Sequence, residues 1–115
     1  MSPILHVARA ADWSAAVEAG SYRWSTRAVT LDEQGFIHCS TPEQVARVAS
    51  FVYAGNSDPL VVLVLSEDVV TASGIELRYE DGGTGELFPH IYGPIDLDWV
   101  TDVRPAHFDD GAFVY

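Results

Sequence analysis

Apolar and polar positions follow two different periods along this chain, and the switches between them mark its elements. Ile4-Leu5-His6-Val7-Ala8 is a short run with the density of a mostly buried strand. From about Ala11 to Ala19 the spacing becomes helical, with Trp13, Ala16 and Val17 on one side and Gly20 placed to terminate the helix. Ser21 to Gln34 follows neither period and is read as an irregular loop that crosses the mouth of a site. Phe36-Ile37-His38-Cys39 predicts a second strand running straight into a helix start. There, Ser40 caps with Glu43 at N3, or Thr41 caps with Pro42 at N1. Val45, Val48, Ala49 and Val52 recur at i, i+3, i+4 and i+7, which gives that helix one buried face.

Beyond Gly55-Asn56-Ser57-Asp58-Pro59 the pattern is strand-like to the end. Leu60 to Leu65 is a continuous apolar run suited to a central strand. Ile75 to Glu80 alternates apolar and charged residues, as a half-exposed strand does, and Asp81 to Gly85 is a turn. Phe88 to Pro94 carries two prolines and is expected at an edge or beside a bulge. Trp99 to Val103 is the last strand, and the aromatic tail to Tyr115 has no assigned place. The order β-α-loop-β-α-β, then mostly strand, predicts an α+β fold in one domain spanning residues 1–115.

Composition narrows the partners. Seventeen acidic residues stand against six basic ones, a formal charge of −11, and all six basic residues are arginine. Without a basic cluster the chain has no footprint for general nucleic-acid binding or for an anionic membrane surface. One cysteine, Cys39, excludes an internal disulfide, and the amino terminus lacks the pattern of a signal peptide. A cytoplasmic protein with a small-molecule ligand is the expectation, with oligomeric state left open.

Chemistry concentrates on histidines. Strand side chains alternate faces, so His38 shares a face with Ser40, and Phe88, His90 and Tyr92 share another. With His6 on the first strand, convergence of the three segments would build a cleft with three imidazoles, two hydroxyls and an aromatic wall. His6, His38 and His90 are the candidate acid–base groups, each with the alternative of a satisfied structural histidine. Ser40, Tyr92 and Phe88 are the candidate ligand contacts, although Ser40 also reads as a cap and Tyr92 as core. Glu86, before the Phe-Pro-His-Ile-Tyr-Gly run, is the acidic candidate. Arg23, like Arg27 and Arg9, is placed to meet a phosphate or to form a surface ion pair. No close-spaced histidine pair suggests zinc, so no metal is expected, and Cys39, facing away from His38, reads as a buried thiol rather than a nucleophile. His107 reads as structural or exposed.

Four segments together resemble a known family: Ile4-Leu-His6, the helix bearing Trp13, Gly35-Phe-Ile-His-Cys-Ser-Thr-Pro-Glu43, and Gly85-Glu-Leu-Phe-Pro-His-Ile-Tyr-Gly-Pro94. The chain resembles the family of unknown function numbered 952, from about Pro3 to Pro105. That resemblance implies an ADP-ribosyltransferase-like fold, a compact split β-sheet with flanking helices and a cleft between the sheet halves. It implies NAD as a substrate gripped in that cleft. By position, His6 would hold the ribose, Tyr92 or another cleft aromatic would stack on nicotinamide, and Glu86 would loosely match the glutamate that orients a ribose hydroxyl. An enzyme acting on NAD or a related ribosyl-phosphate compound is one expectation. A non-catalytic module binding a small metabolite or nucleotide in the same cleft is the other.

Overall fold

The computed structural model describes residues 3–115, and its first elements follow the first apolar run. In chain order they are β1 (Pro3–Arg9), α1 (Ala10–Ala19), β2 (Ser21–Tyr22), β3 (Trp24–Thr26), β4 (Val29–Thr30), α2 (Leu31–Gln34), β5 (Ile37–His38) and α3 (Val45–Val52). There follow β6 (Leu60–Ser66), α4 (Glu67–Ala72), β7 (Leu77–Asp81), β8 (Leu87–Ile91), β9 (Ile95–Asp96), a 3-10 turn at Leu97–Trp99, β10 (Val100–Asp109) and β11 (Ala112–Val114). This is a mixed α/β fold with four helices beside a curled antiparallel sheet.

The curl comes from two ladders joined at one point. A four-stranded ladder runs β1-β6-β10-β11, with the apolar β6 paired on both sides, and a three-stranded ladder runs β5-β8-β7. Leu5 and Ser40 form the isolated bridge between them, with Leu5 N–H donating to Ser40 O at 2.7 Å and Ser40 N–H donating to Leu5 O at 2.8 Å. Alternation along β1 and β6 feeds two core layers. Ile4, Ala8, Leu63 and Leu65 pack with Ile37, Cys39, Ile91 and Trp99 on one side. Leu5, Val7, Leu60 and Val62 pack with Val45, Ala49 and Phe113 on the other. Both faces of β1 and β6 are therefore buried, which is why β6 reads as an unbroken apolar run.

Several expectations change. Ser21 to Gln34 is not irregular: it holds β2, β3 and β4 and the short α2. That helix starts with a complete capping box, in which Thr30 Oγ1 accepts from Glu33 N–H at 3.2 Å and Thr30 N–H donates to Glu33 Oε1 at 3.1 Å. Neither predicted cap opens α3. Ser40 keeps its backbone in the bridge to Leu5, and regular helix begins only at Val45, with no capping side chain at its start. Instead Thr41 N–H donates to Gln44 Oε1 at 3.0 Å across a tight turn. Val17 on α1 is exposed, whereas Gly20 ends that helix as expected, in the left-handed region at φ 95° with its N–H on Ala16 O.

Phe88 to Pro94 is not at an edge. β8 is the middle strand of its ladder and carries Pro89. The strand tolerates it because Pro89 sits opposite Tyr79 on β7, between the hydrogen-bonded positions of that pair. On the other side Cys39 N–H donates to Pro89 O at 2.9 Å, just beyond the two residues of β5. The missing proline donor thus falls where pairing with β5 has already stopped. Trp99 belongs to the 3-10 turn, and the tail forms the β10–β11 hairpin with Phe113 buried.

Candidate functional site

The three-stranded ladder carries a polar face. Register places His38 opposite His90, His90 opposite Arg78, and Glu80 opposite Phe88. Glu76, Arg78 and Glu80 therefore share a face with Phe88 and His90, and Tyr92 follows on the same side. The charged positions of β7, which alternation alone would assign to solvent, stand beside the histidines.

Contacts on this face form a chain. Tyr92 Oη and His90 Nδ1 both bond to Glu80 Oε1, the latter at 2.9 Å. His90 Nε2 lies 3.2 Å from His38 Nδ1. The Phe36 ring stacks on His90 with centroids 4.0 Å apart and an interplanar angle of 15°, and the Arg78 guanidinium lies 4.7 Å from the centroid of the Tyr92 ring. The hydroxyl of Tyr92, then the imidazole of His90, hold the Glu80 carboxyl below its ordinary range. Burial, then the neighbouring His90 and His6, holds His38 down to about 4, so His38 is neutral near pH 7.

His38 and His90 border an open cleft of about 560 Å³. Its floor and sides include Phe36, Phe88, Ser25 and Thr26, the β7–β8 turn supplies Asp81 and Gly82, and α3 supplies Arg47, Val48 and Phe51. Gly82 is required by close approach, since a Cβ there would stand 2.6 Å from the Phe88 ring. Phe51 is 86% exposed at the lip, a large apolar ring turned to solvent.

The expected common cleft divides in two. His6 points into the first core layer with Ile4 and Ala8, while His38 points to the opposite side of its ladder from Ile37 and Cys39. His6 is only 2% exposed. Its Nδ1 donates to His38 O at 2.7 Å and its Nε2 accepts from Tyr22 Oη at 2.8 Å, so both ring nitrogens are occupied. Burial, opposed by the bond to the His38 carbonyl, holds it down to about 4. His6, His38 and Ser40 do border one small hollow, but its volume of about 10 Å³ holds at most a water molecule. Ser40 lies in the bridge to Leu5 and not on the open cleft.

Glu86 is not beside the imidazoles. Arg47 clamps it in bidentate fashion at 2.6 and 2.8 Å, and Gln44 Nε2 adds a bond at 3.0 Å. The Arg47 guanidinium, then Gln44, hold its carboxyl down to about 2. Arg23 is exposed and does not line the cleft, and Cys39 is buried with burial pushing its thiol up. His107 is exposed on β10. Among the described residues, no group of three or more histidine, cysteine or acidic side chains is arranged to hold a metal ion. Residue-by-residue reading missed Glu80, Phe36, Arg47 and Phe51. The Asp81–Gly85 turn between two strand-like segments was the available signal for Glu80. Folding a hairpin about it puts Asp81 opposite Leu87, and hence Glu80 diagonal to His90.

Comparison with known proteins places this mixed α/β chain in a family. The model of the family described as Protein of unknown function (DUF952) matches residues 7–103, and the chain belongs to that family. The crystal structure of protein CC0527 from Caulobacter crescentus is similar at 30% identity, with a TM-score of 0.83 over 98% of this chain and 94% of that one. The solution NMR structure of CC0527 is similar at 30% identity and a TM-score of 0.77, covering 97% of this chain and 91% of that one. The comparison with curated proteins found no match.

Proposed function

We propose that the protein is an enzyme of the ADP-ribosyltransferase-like class that performs acid–base chemistry on NAD or a related ribosyl-phosphate compound in the open cleft. The observation that carries this reading is the His38–His90 pair, 3.2 Å apart at the wall of a cleft of about 560 Å³. That volume suits a small-molecule ligand, and few polar groups among aromatic walls are what such sites use to orient one. Phe51 offers a ring for stacking against nicotinamide or adenine. Arg47 offers a planar fork for a phosphate that exchanges with the Glu86 carboxylate.

Cleaving the bond between nicotinamide and ribose develops positive charge on the sugar, and a neutral imidazole or a carboxylate beside it stabilises that charge. In this reading His38, not the occupied His6, meets the ribose, and Glu80, not Glu86, is the carboxylate behind it. Incubating the protein with NAD, with and without nucleophilic acceptors, and following free nicotinamide tests the reading. Release that disappears in His38→Ala is the expected result. No release and no thermal shift at millimolar NAD would sink it.

The rim favours a second reading. Phe51 and the Arg47–Glu86 clamp could grip a nucleotide without bringing it to the histidines, as a non-catalytic binding module would. A ligand that binds only the folded state raises the melting temperature by mass action. A shift with intact ligand recovered afterwards would select this reading over catalysis.

A further inference from the structure

His6, His38 and His90 have six ring nitrogens. Five are bonded within the protein: both of His6, both of His90, and Nδ1 of His38. The sixth, His38 Nε2, has no partner among the described residues, and it is not among the buried atoms left without one. It is an accessible nitrogen on a residue that lines the cleft.

The partners also dictate where the protons sit. Glu80 is a carboxylate and can only accept, so His90 Nδ1 carries a hydrogen and donates to it. Neutral His90 then has a bare Nε2, and His38 Nδ1–H must donate to it. His38 is left with a bare Nε2. The same logic gives His6 its hydrogen on Nδ1, because that nitrogen faces a backbone carbonyl.

We propose that Glu80, His90 and His38 form a proton relay whose working atom is His38 Nε2, which exchanges one proton with the ligand held in the cleft. The ligand's proton moves to His38 Nε2 and leaves its bonding pair on the ligand. The Nδ1 hydrogen of His38 moves to His90 Nε2. His38 ends neutral in its other tautomer, and His90 becomes an imidazolium that keeps its Nδ1–H on Glu80. Run backwards, the chain delivers a proton from His38 Nε2. The charge therefore rests on His90, beside a carboxylate, and not on His38, which faces the ligand. Glu80 is a positioning residue: with Tyr92 on the same oxygen, it selects the His90 tautomer and balances its charge. The relay rests on the reading of the cleft as the place of chemistry, but its test requires no substrate.

Long-range proton–nitrogen NMR on the ¹⁵N-labelled full chain reads tautomers directly. At alkaline pH, His6, His38 and His90 are expected to carry hydrogen on Nδ1 with Nε2 bare. On acidification, His38 should pass to the Nε2–H form together with the appearance of the His90 imidazolium signature. The groups facing His90 are Glu80 and Arg78 from β7, His38 from β5, and Tyr92 just beyond the end of its own strand. Removing the acceptor in Glu80→Leu should release the His90 tautomer, so that neutral His90 appears with its hydrogen on Nε2. Glu86→Gln, distant from the relay, should leave the His90 and His38 tautomers unchanged. In the wild-type chain, neutral His90 with its hydrogen on Nε2 or a His38 that never switches would overturn the relay, as would a His90 tautomer unchanged in Glu80→Leu. Absence of nicotinamide release would count against the proposed reaction alone.

Discussion

His6 on β1 and His90 on β8 occupy equivalent-looking places, each in the body of a strand with apolar neighbours, and each is nearly buried at 2% and 5% exposure. Their surroundings make them opposites. The His6 ring meets a tyrosine hydroxyl and a backbone carbonyl, neither of which exchanges charge near neutral pH. The His90 ring meets a carboxylate on one side and a second imidazole on the other, with that imidazole open to a cleft. Burial alone thus does not separate a structural histidine from a working one. What separates them is whether the bonded partners can take up and pass on a proton.

The largest effect expected from breaking this comparison is on activity. His38→Ala should lower nicotinamide release by about 10²- to 10⁴-fold, the usual contribution of a positioned acid–base group, while urea unfolding changes far less. At His6 the balance should invert. His6→Ala opens a cavity between β1 and β5 and strands the Tyr22 hydroxyl and the His38 carbonyl, so it should cost about 3–5 kcal/mol in the same urea experiment. A loss under 1 kcal/mol there would erase the distinction between the two histidines.

Acid should sharpen the contrast next. Near pH 5 an unfolded His6 binds a proton, while the folded one, held at about 4, does not. Its contribution is complete above about pH 6.5 and is lost as pH falls toward 4. The predicted loss is about 3 kcal/mol from this one group, and it should disappear from the stability–pH curve of His6→Gln. A wild-type curve flat across that window would contradict it. The smallest effect is expected at the rim: Arg47→Ala breaks an ion pair whose arginine side chain is 63% exposed, and it should leave the unfolding midpoint within error while weakening any phosphate-bearing ligand. A clear drop in stability would mean the clamp organises the β7–β8 turn.

Much of this was legible along the chain. Continuous burial marked β6, helical spacing marked the buried face of α3, Gly20 marked the end of α1, and period-2 alternation put Phe88, His90 and Tyr92 on one face. Local chemistry also contained signals that pattern reading passed over, such as Thr30 and Glu33 capping α2 and the hairpin turn that aligns Glu80 with His90. These are short-range facts, written in residues a few positions apart.

The division of labour among the histidines was decided elsewhere. Period 2 says which residues share a face, but not which layer that face meets. Only the closure of the curled sheet at Leu5 and Ser40 turned the His6 side of β1 into core and left the His38 side of β5 open. Likewise, Glu86 and Glu80 are both glutamates near the same glycine-rich turn. One is captured by Arg47 from α3 and the other by His90 from β8. Periodicity is set by the backbone of each residue and its neighbours. Partners are set by strand register and helix docking between segments tens of residues apart, so the tertiary structure alone assigned the carboxylate to its histidine.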